Sequence, residues 1–144
     1  MKAQDYTCSI QTSVSAAEAY DKIARVSDWW AKNFEGAARK VGDTFTVRFG
    51  ETFVDFAISD AHPNRKIVWQ VADCYLPWLK DKTEWNGTFV TWEIAPQAGV
   101  TSIKFTHHGL TPDVECYSAC ETGWDGHIKK SLLNLLNVGK GFPE

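Results

Sequence analysis

The chain predicts an α+β domain in which a curved antiparallel sheet of about six or seven strands packs around one long C-terminal helix, with two short helices after the first strand. Two patterns lead there. From Thr44 to His107 the apolar residues recur mostly with a period of two, and from Tyr117 onward they recur at helical spacing, as Tyr117, Cys120, Trp124, Ile128, Leu132 and Leu135. A single amphipathic helix following a run of strands must bury its stripe against the sheet. At 144 residues, with 44% hydrophobic and 23% charged residues, the chain has the size and composition of one globular domain, residues 1–144.

Taken in order, Tyr6 to Gln11 alternates as a first strand, and Ser13-Val14-Ser15 followed by Glu18 has the form of a helix N-cap with an acid three residues on. The helix should run from about Ala16 to Arg25 and bury Ala17, Tyr20 and Ile23 or Ala24. A second short helix holds Ser27-Asp28-Trp29-Trp30 with Ser27 as its cap, and Gly36 and Gly42 then punctuate a polar stretch. Phe45, Val47 and Phe49 form one strand face. Val54, Phe56 and Ile58 form the next, joined to it near Gly50-Glu51. His62-Pro63-Asn64 is a turn, because proline fixes its own backbone and biases its predecessor away from helix, and Ile67, Trp69 and Val71 share the face of the strand after it. Cys74 to Asn86, broken by Pro77, reads as a loop; the alternative is a turn at Asn86-Gly87 that makes Lys82 to Trp85 a short strand. Val90, Trp92 and Ile94 pair with Ile103, Phe105 and His107 across a turn at Pro96 to Gly99. Thr111 or Asp113 can cap the final helix, and Gly139 and Gly141 stand where it should stop.

Composition excludes several functions. A net charge of −3, with no run of Lys or Arg longer than two, leaves no basic surface for nucleic acid. The N-terminal residues lack a signal-type apolar run, and no apolar stretch of about 18 residues occurs, so a cytoplasmic protein without membrane insertion is expected. In that compartment Cys8, Cys74, Cys116 and Cys120 should stay reduced as small buried hydrophobes, since none forms a Cys-x-x-Cys pair. His107 with His62 or His127 has no metal-ligand spacing, Gly139-Lys140-Gly141 is too short for a phosphate loop, and no nucleophile motif appears. No metal and no cofactor are expected.

The order of elements resembles the START-like, or helix-grip, superfamily (SRPBCC). Three segments resemble, in particular, the C-terminal domain of the activator of Hsp90 ATPase: Asp28-Trp29-Trp30, the hairpin Val90 to Ile94 with Ile103 to Leu110, and Gly123-Trp124 with Ile128, Leu132 and Leu135. The resemblance covers nearly the whole chain. It implies a cavity between the sheet and the C-terminal helix, in which different members bind lipids, polyketides, hormones or aromatic metabolites. The activator's separate N-terminal domain, which engages the chaperone, has no counterpart in these 144 residues.

Seven tryptophans and an aromatic share of 13% suit either a dense core or an apolar pocket. Trp69, Trp92, Phe105 and His107 fall on one strand face, Tyr117 and Trp124 on the helix stripe, and with Trp30, Phe56 and Val71 they are the candidate ligand-binding residues. The plainer reading is that they fill the space completely. Trp29 and Trp30 should not both face inward from a short helix. One should pack under the sheet's rim and the other border the pocket mouth, and together with Trp78 and Trp85 they can form a hydrophobic gate or, alternatively, a homodimer interface. The leading expectation is binding of a small apolar or aromatic ligand without catalysis. The alternatives are a cyclase, dehydratase or hydrolase using His107 with Asp73 or Tyr75, and an interaction module that modulates a chaperone ATPase.

Overall fold

The computed structural model describes residues 4–144. Its elements are β1 (Tyr6–Thr12), α1 (Ala16–Ala24), α2 (Val26–Trp29), β2 (Asn33–Gly36), β3 (Thr44–Phe49), β4 (Thr52–His62), β5 (Lys66–Tyr75), β6 (Phe89–Gln97), β7 (Val100–His108) and a C-terminal helix. The strands make one antiparallel seven-stranded sheet in the order β1-β7-β6-β5-β4-β3-β2. This is the predicted helix-grip architecture, and β2 is the strand that the sequence did not announce: it is short and polar, and only Phe34 gives it a partly buried residue.

The inner face follows the alternation along β1, β3 and β7, and in the β6–β7 hairpin Ile94 lies opposite Ile103, Trp92 opposite Phe105 and Val90 opposite His107. Between β4 and β5 the register shifts twice, at Asp55/Phe56 and at Ile58/Asp60. Such extra residues bend a sheet and change which side chains point inward. At the first shift Val71 is buried, Ala72 and Asp73 are exposed, and Cys74 is buried again. Simple alternation would have put Asp73 beside Val71 on the inner face; the bulge turns it outward.

The C-terminal helix spans residues 117–138, with α geometry in α3 (Tyr117–Asp125) and α4 (Leu133–Val138) and a wider π-helical stretch, Gly126–Leu132, between them. The sequence explains the widening. Cys120, Trp124, Ile128 and Leu132 are buried at every fourth residue, and each such step overshoots a 3.6-residue turn by about 40°. Wider turns take up that drift and keep all four on the sheet. Gly139 ends the helix at φ 90°, its N–H reaching the Leu135 carbonyl at 3.0 Å. The expected caps Thr111 and Asp113 are not used: the helix begins at Tyr117, and the carboxylate of Glu84, far away in sequence, accepts from the N–H groups of Glu115 (3.0 Å) and Cys116 (3.1 Å).

At the other end of the chain Ser15 caps α1 by accepting from Glu18 N–H at 3.1 Å. The helix turns Ala19, Ile23 and Ala24 inward rather than Ala17, while Tyr20 stays at the margin with its hydroxyl donating to the Arg39 carbonyl. α2 begins at Val26 with Arg25 in the N-cap position and no side-chain cap, so Ser27, the expected cap, lies inside the helix. Trp29 and Trp30 are both buried, against expectation: α2 ends at Trp29, Trp30 is its C-cap with its N–H donating to the Val26 carbonyl at 2.8 Å, and the two rings stack with centroids 6.1 Å apart. Cys74 and Tyr75, read as the start of a loop, continue β5 by pairing with Val54 and Phe53; from Leu76 on the segment is a loop as read, with no strand over Lys82 to Trp85. Among the described residues no helix is long and apolar enough to cross a membrane.

Candidate functional site

A cavity of about 360 Å³ opens where the helix leaves the sheet. The β3–β4 hairpin supplies Phe49, Thr52 and Val54, the loop after β5 supplies Leu76, Trp78 and Trp85, and the helix supplies Ala119, Cys120, Gly123, Trp124 and His127. Trp30 forms the floor and Glu144 closes one side. The tail reaches this position by main-chain pairing, Glu144 N–H to the Trp30 carbonyl at 2.9 Å and Lys32 N–H to the Glu144 carbonyl at 2.8 Å. A Cβ at Gly141 would lie 2.2 Å from the Asp28 carbonyl oxygen, so only glycine allows this close approach.

Of the candidate residues, Trp30 and Trp124 are on the cavity wall, their ring centroids 4.9 Å apart. The others lie elsewhere. Phe56, Trp69, Val71, Trp92 and Phe105 form a packed layer behind the wall, with Trp69 to Trp92 at 5.4 Å and Trp92 to Phe105 at 4.7 Å. Among the described residues the indole N–H groups of Trp69 and Trp92 have no hydrogen-bond partner; their neighbours are aromatic rings, edge-on between Trp69 and Trp92 and between Phe45 and Trp69, and stacked where Trp29 and Trp30 lie against Trp69. Tyr117 is half-buried, outside the cavity lining, and donates to Glu121 at 3.1 Å.

His107 is fully buried and bonded at both ring nitrogens. Trp124 Nε1–H donates to His107 Nδ1 at 3.1 Å, which fixes the imidazole proton on Nε2; that N–H donates to Thr88 Oγ1 at 2.9 Å, and the Thr88 hydroxyl donates to the Trp85 carbonyl at 2.6 Å. Burial pushes the imidazole pKa down to about 3. His107 is therefore tied directly to Trp124 and, through Thr88, to the Trp85 main chain, and it is not among the residues lining the cavity. Asp73 is exposed beyond the bulge and Tyr75 is exposed on the outer side, so neither meets His107 as an acid–base partner.

Cys116 and Cys120 are paired as a disulfide, correcting the expectation that all four cysteines are reduced; their four-residue separation on one helix face brings the Cα atoms within 5.6 Å. Cys116 Sγ also accepts from Trp85 Nε1 at 3.2 Å. Cys8 and Cys74 remain thiols, and burial pushes both pKa values up, away from the reactive thiolate. No group of three or more His, Cys, Asp or Glu is arranged to hold a metal among the described residues.

Sequence reading did not find Phe49, Leu76, Cys120, His127 or Glu144 as wall residues. His127 was within reach, since it follows Trp124 by three positions and so shares its side of the helix. Glu144 carries no local signal, because its place depends on where the tail docks.

The fold and cavity define a START-like, SRPBCC-type domain. The chain belongs to the family described as activator of Hsp90 ATPase homolog 1-like protein, whose family model matches residues 18–137. Its structure is similar to the solution structure of the Aha1 dimer from Colwellia psychrerythraea, with 25% identity, coverage of 96% of this chain and 99% of that one, and a TM-score of 0.79. It is also similar in fold to SSP2350 from Staphylococcus saprophyticus (16% identity, 96% of each chain, TM-score 0.73). DynU16 of the dynemicin biosynthetic locus shares the fold at 16% identity and TM-score 0.68; the match covers 94% of this chain and 48% of that one. None of the curated proteins matches the chain in sequence.

Proposed function

We propose that this domain binds one small apolar or aromatic molecule in the cavity and performs no chemistry on it. The observation that carries this reading is the cavity itself: about 360 Å³, walled by Trp30, Trp85, Trp124, Phe49 and Leu76, within the ~300–1,000 Å³ range of small-molecule sites. Its polar side chains are those of Thr52, His127 and Glu144, and the fully buried His107 behind it is locked between Trp124 and Thr88. Gly123 gives a direct test, because a Cβ there meets nothing within 4 Å and its residue lines the cavity. Native mass spectrometry and tryptophan fluorescence with fatty acids and aromatic metabolites should detect a complex that Gly123→Leu abolishes while the circular dichroism stays unchanged. No bound species and no fluorescence change across the panel would overturn the reading.

Family membership supports a second reading, a module that modulates a chaperone ATPase. Its test is co-precipitation with an Hsp90-type chaperone followed by an ATPase assay, and an unchanged rate would remove it. A homodimer is supported by the dimeric Colwellia relative and by Trp78, 52% exposed at the cavity mouth. Analytical ultracentrifugation should give twice the chain mass, and Trp78→Ser should restore the monomer. A wild-type monomer at all concentrations would exclude it.

A further inference from the structure

We propose that the cavity selects a cation, a quaternary or tertiary ammonium group carried on an apolar or aromatic body. The inference rests on the reading that the cavity holds a small molecule, and adds to it the sign of the ligand's charge.

Four indoles and one phenyl ring, those of Trp30, Trp78, Trp85, Trp124 and Phe49, border a single cavity. Aromatic faces carry negative charge density, and tryptophan attracts a cation most strongly. The positive edges of two of these rings are turned away from the cavity: Trp124 donates its N–H to His107 and Trp85 donates its N–H to Cys116. An anion entering there would find neither of these donors.

The charged groups point the same way. Among the described residues of the wall there is no lysine or arginine, and Glu144 is the one carboxylate. His127, the remaining titratable side chain on the wall, is more than half buried, which disfavours its protonated form, and Glu144 acts against that only in part. Glu144 is not an incidental neighbour. Its backbone is fixed at both its N–H and its carbonyl to residues 30–32, and Phe142 N–H is held by Ser131 Oγ at 2.7 Å. A ligand carboxylate or phosphate would therefore meet the exposed Glu144 carboxylate and no cation of this wall, Lys130 lying in the adjoining hollow that shares His127 and Glu144, whereas an ammonium would be flanked by aromatic rings and by Glu144. A neutral ligand would gain burial alone.

Isothermal titration calorimetry with three ligands of matched shape tests this: phenyltrimethylammonium, its neutral isostere tert-butylbenzene, and the anion benzenesulfonate. The expected order is cation, neutral, anion, with the cation bound at least tenfold more tightly than tert-butylbenzene. Glu144→Lys should reduce that ratio at least tenfold. Equal or tighter binding of tert-butylbenzene or benzenesulfonate, or a ratio unaffected by Glu144→Lys, would overturn charge selection and leave small-molecule binding standing. Failure of all three ligands to bind, in a protein that also binds nothing from the fatty acid and aromatic panel, would remove both.

Discussion

Acidification should weaken this fold through His107 in a way that can be isolated. The folded imidazole has its pKa pushed down to about 3 by burial, whereas in the unfolded chain it returns to about 6.5. Below the unfolded value the unfolded chain takes up a proton that the folded protein refuses, so the stability is complete above about pH 6.5 and is lost as the pH falls towards 3. Each pH unit in that window removes about 1.4 kcal/mol, so the full window amounts to about 5 kcal/mol. That is comparable with the net stability of a small domain. The hydrogen bonds explain why protonation is refused: a proton on Nδ1 would face the Trp124 N–H that Nδ1 now accepts. Urea denaturation at pH 7, 6, 5 and 4 should give the wild type a steeper loss than His107→Gln, with the other titrating groups common to both proteins. Histidine ¹⁵N spectra of the wild type should keep the pattern of an imidazole protonated at Nε2 until the protein unfolds. Parallel pH profiles, or a His107 ring titrating near pH 6.5 in the folded state, would refute the reasoning.

Trp124→Phe keeps a ring on the wall but leaves His107 Nδ1 buried without a donor; it should cost about 1–3 kcal/mol in urea denaturation. Glu84→Ala removes the acceptor shared by two N–H groups at the start of the C-terminal helix, and a loss of about 1 kcal/mol in chemical denaturation is expected. Gly123→Ala adds a methyl group into open space within a helix, so it should raise stability by up to about 1 kcal/mol. Alkylation of the denatured, unreduced protein should label Cys8 and Cys74 only, with all four cysteines labelled after reduction; intact mass reads the difference.

Local chemistry made most of the elements legible. The alternation in Val90 to Ile94 and Ile103 to His107 needs only neighbouring residues to be recognised, as do the Ser15 cap and the Gly139 stop. The family, too, was readable from Asp28-Trp29-Trp30, the final hairpin and Gly123-Trp124, which lie within or beside the matched residues 18–137. β2 was not, because a polar edge strand carries no hydrophobic period.

The candidate site divided along a physical line. Sequence periodicity places Trp69, Trp92, Phe105 and His107 on one face of the sheet and Trp124 on the helix facing it, and that arrangement exists. Whether such residues meet a void or one another depends on the distance between the helix and each part of the sheet. Periodicity contains no such distance. The structure closes the gap over Trp69, Trp92 and Phe105 and leaves it open beside Trp30 and Trp124. A one-residue bulge then removes Asp73 from the inner face, and a docked tail adds Glu144 to the wall. The chain alone determined which segments are strands and helices, because those choices follow from local backbone preference and the pattern of burial. Only the tertiary structure decided which aromatic residues remain available to a ligand, because that is set by register shifts and by contacts between segments far apart in the chain.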